Sequence, residues 1–142
     1  MPDNIPELPI ERLRLTGLRP TRQRVALAEL LFGRDDWHFT AEEIHAQAVK
    51  RGVPVSLATV YNTLHQFVEA GILREVAIES SKTYFDTKIN DHFHFFFEKN
   101  GSLVDIDTAD IKVENLPKPP PGTEIARIDV LVRLEPSRKK GG

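Results

Sequence analysis

The sequence predicts an α+β chain, with an N-terminal winged helix-turn-helix domain over residues 1–87 and a small C-terminal α/β dimerisation domain over 88–142. Three observations predict it. The first 87 residues hold four stretches of helical apolar spacing, each stopped near a glycine, and then two short β-branched runs. The polar stretch from Thr87 to Asp91 reads as a hinge. Beyond it come short strand-like runs around a stiff loop of Pro117, Pro119, Pro120, Pro121 and Gly122.

Ile10 to Leu15 is expected as a short helix stopped by Gly17. Pro20 and Thr21 open a second, with Val25, Leu27, Leu30 and Leu31 at helical spacing and Gly33 after it. Thr40-Ala41-Glu42-Glu43 is a capping box, and the helix it starts should turn Ile44, Ala48 and Val49 inward before Arg51-Gly52. Ser56 caps the helix Leu57 to Ala70, whose Leu57, Val60, Leu64, Phe67 and Val68 form one core stripe. Ile72–Ile78 and Lys82–Asp86, joined by Glu79-Ser80-Ser81, read as a hairpin. In the second domain, Phe93–Phe97 and Leu103–Ile106 read as strands, Thr108 to Asn115 as a short helix and Glu124 to Leu134 as a long strand. A unit of this size has a small core and exposed strand edges, which favours a homodimer.

Composition narrows the chemistry. The chain has 142 residues without a single cysteine, which excludes disulfides, thiolate zinc sites and thiol nucleophiles together. No apolar run reaches the roughly 18 residues of a membrane span, and Met1-Pro2-Asp3-Asn4 does not read as a signal peptide. A bacterial-type cytosol is the expected location, with no membrane partner. The 19 Lys and Arg against 21 Asp and Glu leave a net charge of −2, so any polyanion must be met by a local patch. One exists: Arg12, Arg14, Arg19, Arg22 and Arg24 fall in thirteen residues without an acid, as a solvated helix face or a polyanion contact. Arg138-Lys139-Lys140-Gly141-Gly142 reads as a loose terminus.

The face of the 57–70 helix opposite its core stripe carries Ala58, Thr59, Tyr61, Asn62, His65 and Gln66. Small, hydrogen-bonding and free of carboxylates, it suits a DNA major groove, where acids would repel phosphates. His92-Phe93-His94 opens a strand, so the two imidazoles share a face while Phe93, Phe95 and Phe97 should turn to the core. With Asp86 six positions earlier, Asp105 on the neighbouring strand and His38 near the capping box, the set suits Fe(II), Mn(II) or Zn(II). His38 and Asp105 also read as surface residues beside a loop and a turn. His45 and His65 read as structural or surface residues.

At these residues the chain resembles the ferric uptake regulator family over nearly its whole length. The blocks are Gly17-Leu18-Arg19-Pro20-Thr21-Arg22-Gln23-Arg24, Thr40-Ala41-Glu42-Glu43-Ile44, and Ala58-Thr59-Val60-Tyr61-Asn62-Thr63-Leu64 with Ala70-Gly71-Ile72. Within it, Val53 to Phe67, Ser81-Lys82-Thr83-Tyr84-Phe85-Asp86, Glu124 to Asp129 and Val132-Arg133-Leu134 look most like the iron response regulator (Irr) branch. The resemblance implies a regulatory metal site of His38, Asp86, His92, His94 and Asp105 spanning the two domains, and a homodimer on a palindromic double-stranded DNA operator. It implies base contact by Tyr61, with Arg19 near the minor groove. For the Irr branch it implies a repressor or activator of iron and haem homeostasis genes, with haem at His92 and His94 weakening DNA binding.

The departures are specific. Phe97-Glu98-Lys99-Asn100 stands where relatives carry Cys-x-x-Cys, so the structural zinc site is absent. Lys112 and Ala126 replace the glutamate and histidine of a second metal site. Asn62 stands for an arginine, and Phe93 for the middle one of three histidines. The leading expectation is a metal- or haem-responsive DNA-binding regulator. Arg19, Arg22 and Arg24 would hold phosphates and Thr59, Tyr61, Asn62 and Gln66 would read bases. An ion held by both domains would fix the spacing of two recognition helices against half-sites about 34–36 Å apart or a multiple of it. Two rivals remain at this stage: a small non-haem iron enzyme using two histidines and a carboxylate, and a winged-helix protein that senses nothing.

Overall fold

The computed structural model describes residues 8–78 and 81–138. The chain divides into two compact units between Ile89 and Asn90, and each is taken by itself. The first runs α1 (Pro9–Leu15), α2 (Arg22–Phe32), β1 (His38–Thr40), α3 (Ala41–Lys50), α4 (Leu57–Glu69), β2 (Arg74–Val76) and β3 (Tyr84–Asp86). Each of the three longer helices starts on a hydroxyl cap. Thr21, Thr40 and Ser56 accept hydrogen bonds from the amides of Arg24, Glu43 and Thr59 at 3.3, 3.2 and 3.1 Å. Gly52, at φ 74°, ends α3 in the left-handed region and turns the chain toward α4.

The core is the meeting of the apolar stripes. Leu13, Leu27, Leu31, Ile44, Val60, Leu64 and Phe67 are fully buried, with Phe39 and Phe85 closing the cluster from the sheet. Val49 is 58% exposed, against expectation. At 100° per residue it points well away from Ile44 and Ala48, so α3 buries Ala41, Ile44 and Ala48 instead. Thr40 does two jobs at the start of α3. Besides the cap, its hydroxyl donates to the Glu43 carboxylate at 3.3 Å. Thr40→Ala should therefore cost about 1 kcal/mol of stability, read as a lower urea midpoint with unchanged slope.

The wing is three-stranded, not two. β3 lies between β1 and β2, antiparallel to both, with His38 and Arg74 each opposite Asp86. β1 was not expected because three residues leave no periodicity to read. β2 and β3 are shorter than the runs Ile72–Ile78 and Lys82–Asp86 that were to form them; Ile72 and Leu73 pack into the core ahead of the strand. Of the connecting turn, Glu79 and Ser80 lie outside the described residues, as do Met1 to Glu7 and Lys139 to Gly142. Thr87 is anchored to the first unit, its hydroxyl accepting from the Trp37 amide at 3.0 Å.

The second unit is a mixed sheet of β4 (Phe93–Phe97), β5 (Leu103–Ile106) and β6 (Leu131–Leu134). β4 is central, antiparallel to β5 and parallel to β6. Two expected elements are corrected here. The helix Thr108–Asn115 is a single 3-10 turn, Thr108–Asp110, capped by Asp107. Asn115 is left-handed at φ 59°, and Pro117 disfavours helix at Leu116, so the turn does not propagate. The strand Glu124–Leu134 forms only over Leu131–Leu134, because β4 offers five residues of ladder and pairing starts at His94 opposite Leu131. Burial along β4 follows expectation only in part. Phe93 is buried as expected, at 8% exposure, but Phe97 is 36% exposed, while His92 just before the strand and His94 and Phe96 on it are covered at 7%, 6% and 4%. No helix among the described residues is long and apolar enough to cross a membrane.

Candidate metal centre and nucleic-acid face

The candidate ligands fall in two groups, one per unit. In the first, the β1–β3 ladder sets His38 opposite Asp86, with Nε2 to Oδ2 at 3.8 Å. Asp86 is buried, and its Oδ1 accepts from the Lys88 amide at 2.8 Å, which fixes the carboxylate plane. In the second, His92 just before β4 and His94 on it share one face, and β5 brings Asp105 directly opposite His94. Both imidazole Nε2 atoms stand 3.5 Å from the same Asp105 oxygen, and the two rings meet edge to face at 4.5 Å.

Distance and tautomer show what this second group fits. Charge-assisted hydrogen bonds close to about 2.7–2.9 Å, shorter than either separation. Two ligands bonded to one ion at about 2.1 Å lie roughly 3.0–3.4 Å apart for angles between octahedral and tetrahedral. The 3.5 Å spacings therefore resemble the gaps between ligands of one ion. His92 Nδ1 lies 2.7 Å from the Asn90 carbonyl, which only accepts, so Nδ1 carries the proton and Nε2 keeps its lone pair for a metal. Two imidazoles and a carboxylate are nitrogen and oxygen donors, so Fe(II), Mn(II) and Zn(II) all fit them.

The expected DNA face lies on α4. Ala58, Asn62 and His65 are exposed, and Thr59, Tyr61 and Gln66 half-buried. Neighbouring helices hold its longer side chains. Tyr61 donates its hydroxyl proton to Glu42 Oε2 at 3.0 Å and stacks on His65 at 6.3 Å. Partial burial, and after it the Glu42 carboxylate, keeps the Tyr61 phenol above the ordinary tyrosine value, so it stays a neutral donor. Tyr84 is raised likewise, by burial and then by Glu43. Arg24 turns inward, donating from Nη2 to Gln66 Oε1 at 3.1 Å and from Nη1 to the Arg19 carbonyl at 3.0 Å. Arg19 and Arg22 are exposed. Thr21, Gln23, Arg24, Thr59, Asn62, Thr63 and Gln66 line a polar cleft of about 270 Å³ between α2 and α4.

The family model described as the ferric uptake regulator family matches residues 15–130, well over half the chain. The chain belongs to that family. The peroxide-responsive repressor PerR of Staphylococcus epidermidis is 36% identical over 96 residues, covering 68% of this chain and 63% of that protein. The chain thus spans just under two thirds of the length of the curated relatives it matches first. Among solved structures, the ferric uptake regulator from Pseudomonas aeruginosa with manganese superposes with TM-score 0.71 at 22% identity, covering 93% of this chain and 99% of that one. The Vibrio cholerae ferric uptake regulator gives 0.68 at 22% identity, covering 88% and 97%. Those two likenesses are of fold, and they agree with an α+β chain of winged-helix and small C-terminal parts. PerR is by its name a repressor, and the family is named for a regulator.

For this ferric uptake regulator family member the missing cysteines have a local counterpart. Hydrogen bonds hold the Phe97–Asn100 turn: the Gly101 amide donates to the Phe97 carbonyl at 2.8 Å, and Asn100 Oδ1 accepts from the Ser102 amide at 3.0 Å and hydroxyl at 2.7 Å. Lys112 pairs with Glu114 at 2.9 Å on an exposed loop. His45 has the structural role expected, its Nε2 donating to the Val55 carbonyl at 3.1 Å. Glu42 and Glu75 were not foreseen. The polar face of α4 carries no carboxylate of its own, yet Glu42 reaches Tyr61 from α3, and Glu75 of β2 stands 3.8 Å from His65. Only the glutamate in the capping-box block hinted at either.

Proposed function

We propose that the chain is a divalent-metal-responsive transcriptional regulator that binds a palindromic double-stranded DNA operator as a homodimer. One observation carries the sensing part: a single Asp105 oxygen lies 3.5 Å from two imidazoles, and the tautomer of His92 is set by a carbonyl. In this reading His92, His94 and Asp105 hold one ion per subunit together with His38 and Asp86. When bound, the ion supplies charge and a fixed coordination angle, not reactivity. A coupling of ~1–3 kcal/mol between ion and DNA would make a useful switch. Thr59, Tyr61, Asn62 and Gln66 read bases while Arg19, Arg22 and Arg24 hold phosphates, Arg24 also bonding Gln66 in the cleft it shares with Thr59 and Asn62. Exposed Val104, Val113, Leu116 and Ile125 in the second unit support a dimer through that unit.

Within this reading we infer the Irr-type role from the sequence blocks: a cytoplasmic regulator, repressor or activator, of iron and haem homeostasis genes, with His92 and His94 as the place for haem. Elemental analysis of purified protein, an absorbance scan after haem addition, and duplex selection from a random pool with and without Mn(II) test it together. About one Fe, Mn or Zn per subunit with metal-dependent enrichment is the expected result. A haem band that vanishes on replacing His92 and His94 supports the Irr-type role. Enrichment that ignores both metal and haem would leave a winged-helix protein that senses nothing.

A further inference from the structure

Resting on that DNA-binding reading, we propose that Glu42 is a specificity-determining residue, acting by positioning Tyr61 on the reading face of α4. Glu42 lies in the first turn of α3, exposed, 19 residues before the tyrosine it bonds. Between Leu57 and Gln66, α4 has no carboxylate of its own, so the acid at its edge is supplied entirely by its neighbours.

A phenol has one proton to donate. With that proton on Glu42 Oε2 at 3.0 Å, Tyr61 offers a base its ring edge and its oxygen lone pairs, not a donor. The His65 ring, 6.3 Å away and 21° from parallel, restrains the tyrosine ring from its face while Glu42 restrains its tip. A side chain held at tip and face enters a groove in one rotamer, and that rotamer fits one base-pair pattern better than others. The raised phenol means the proton stays in place across the physiological range.

The carboxylate has a second, separable effect. Its charge opposes phosphates whatever the sequence, so it weakens operator and non-operator DNA alike. Orientation and charge can therefore be told apart. Glu42→Gln keeps an acceptor oxygen and removes the charge, whereas Glu42→Ala removes both.

The test uses the full chain loaded with Mn(II). A duplex selected from a random pool by the wild-type protein and a scrambled duplex of equal composition are titrated by fluorescence anisotropy. Glu42→Ala should lower the selected-to-scrambled affinity ratio about three- to tenfold. Glu42→Gln should bind both duplexes more tightly and keep the ratio. Tyr61→Phe keeps the ring without the proton, and adding Glu42→Ala to it should leave the ratio unchanged. A wild-type ratio in Glu42→Ala overturns the assignment, as does the same loss on adding Glu42→Ala to the Tyr61→Phe protein. A wild-type protein that enriches no duplex overturns the DNA-binding reading itself, and this assignment with it. Near-ultraviolet titration of the phenols reads the contact without DNA: Glu42→Ala should lower the Tyr61 midpoint and leave that of Tyr84 in place.

Discussion

On the proposed metal-sensing function, replacing His92 and His94 together with alanine should lower the affinity for Mn(II) by at least about 100-fold and remove the metal-dependent part of DNA binding. The magnitude follows from a lower bound. Losing only an outer-shell partner of a metal ligand costs about 10–100-fold, and this change removes two donors outright. Within the second unit His92 and His94 are the imidazoles that the Asp105 carboxylate faces, each at 3.5 Å. Calorimetric titration of Mn(II) into wild-type and variant protein measures the loss. Both side chains are buried at the start of β4, so far-UV circular dichroism and a urea melt must show that the sheet survives. Asp105→Asn supplies the milder check. It is about 39% exposed, and its loss of charge should weaken metal binding without disturbing packing. Unchanged Mn(II) affinity in a folded double variant would sink the sensor reading.

Phe85→Ala should cost about 3–5 kcal/mol of stability in the first unit. Phe85 is fully buried, sits opposite Phe39 on one side of β3 and Glu75 on the other, and stacks on Phe39 at 5.9 Å and 17°. It also meets the His65 ring edge-on at 5.7 Å. Few positions combine a sheet centre, an aromatic pair and a contact to α4. Trp37 is the only tryptophan in the chain and lies 5.0 Å from Phe39, so its fluorescence reports this unit through a urea titration. Phe85→Leu keeps most of the volume and should cost under about 1.5 kcal/mol. Equal midpoints for Phe85→Ala and wild type would show that the wing does not belong to the cooperative core.

Much of the first unit was legible because its signals are local. Hydroxyl caps at Thr21, Thr40 and Ser56 and apolar spacing along α2 and α4 operate within a few residues, and the folded chain uses them as expected. The second unit was legible only where two strands lie close in sequence, as β4 and β5 do. β6 pairs with β4 across more than thirty residues, and alternation from Glu124 onward could not say where that ladder begins. The metal donors divide the same way. His92 and His94 announce themselves by their spacing, whereas His38 gains its place from pairing with Asp86 across the wing.

By itself, the sequence determined the fold class, the helices of the first unit, the absence of thiolate chemistry and the polar face of α4. These depend on periodicity, caps and composition, which any stretch of chain carries with it. Only the tertiary structure decided that β1 joins the wing and that Phe96 and not Phe97 is covered. It also decided that Arg24 bonds Gln66, 42 residues away, and that Glu42 bonds Tyr61. The physical reason is common to all four. A ladder partner, a covered face and a hydrogen bond between helices are properties of two segments at once, and neither segment encodes the other's position.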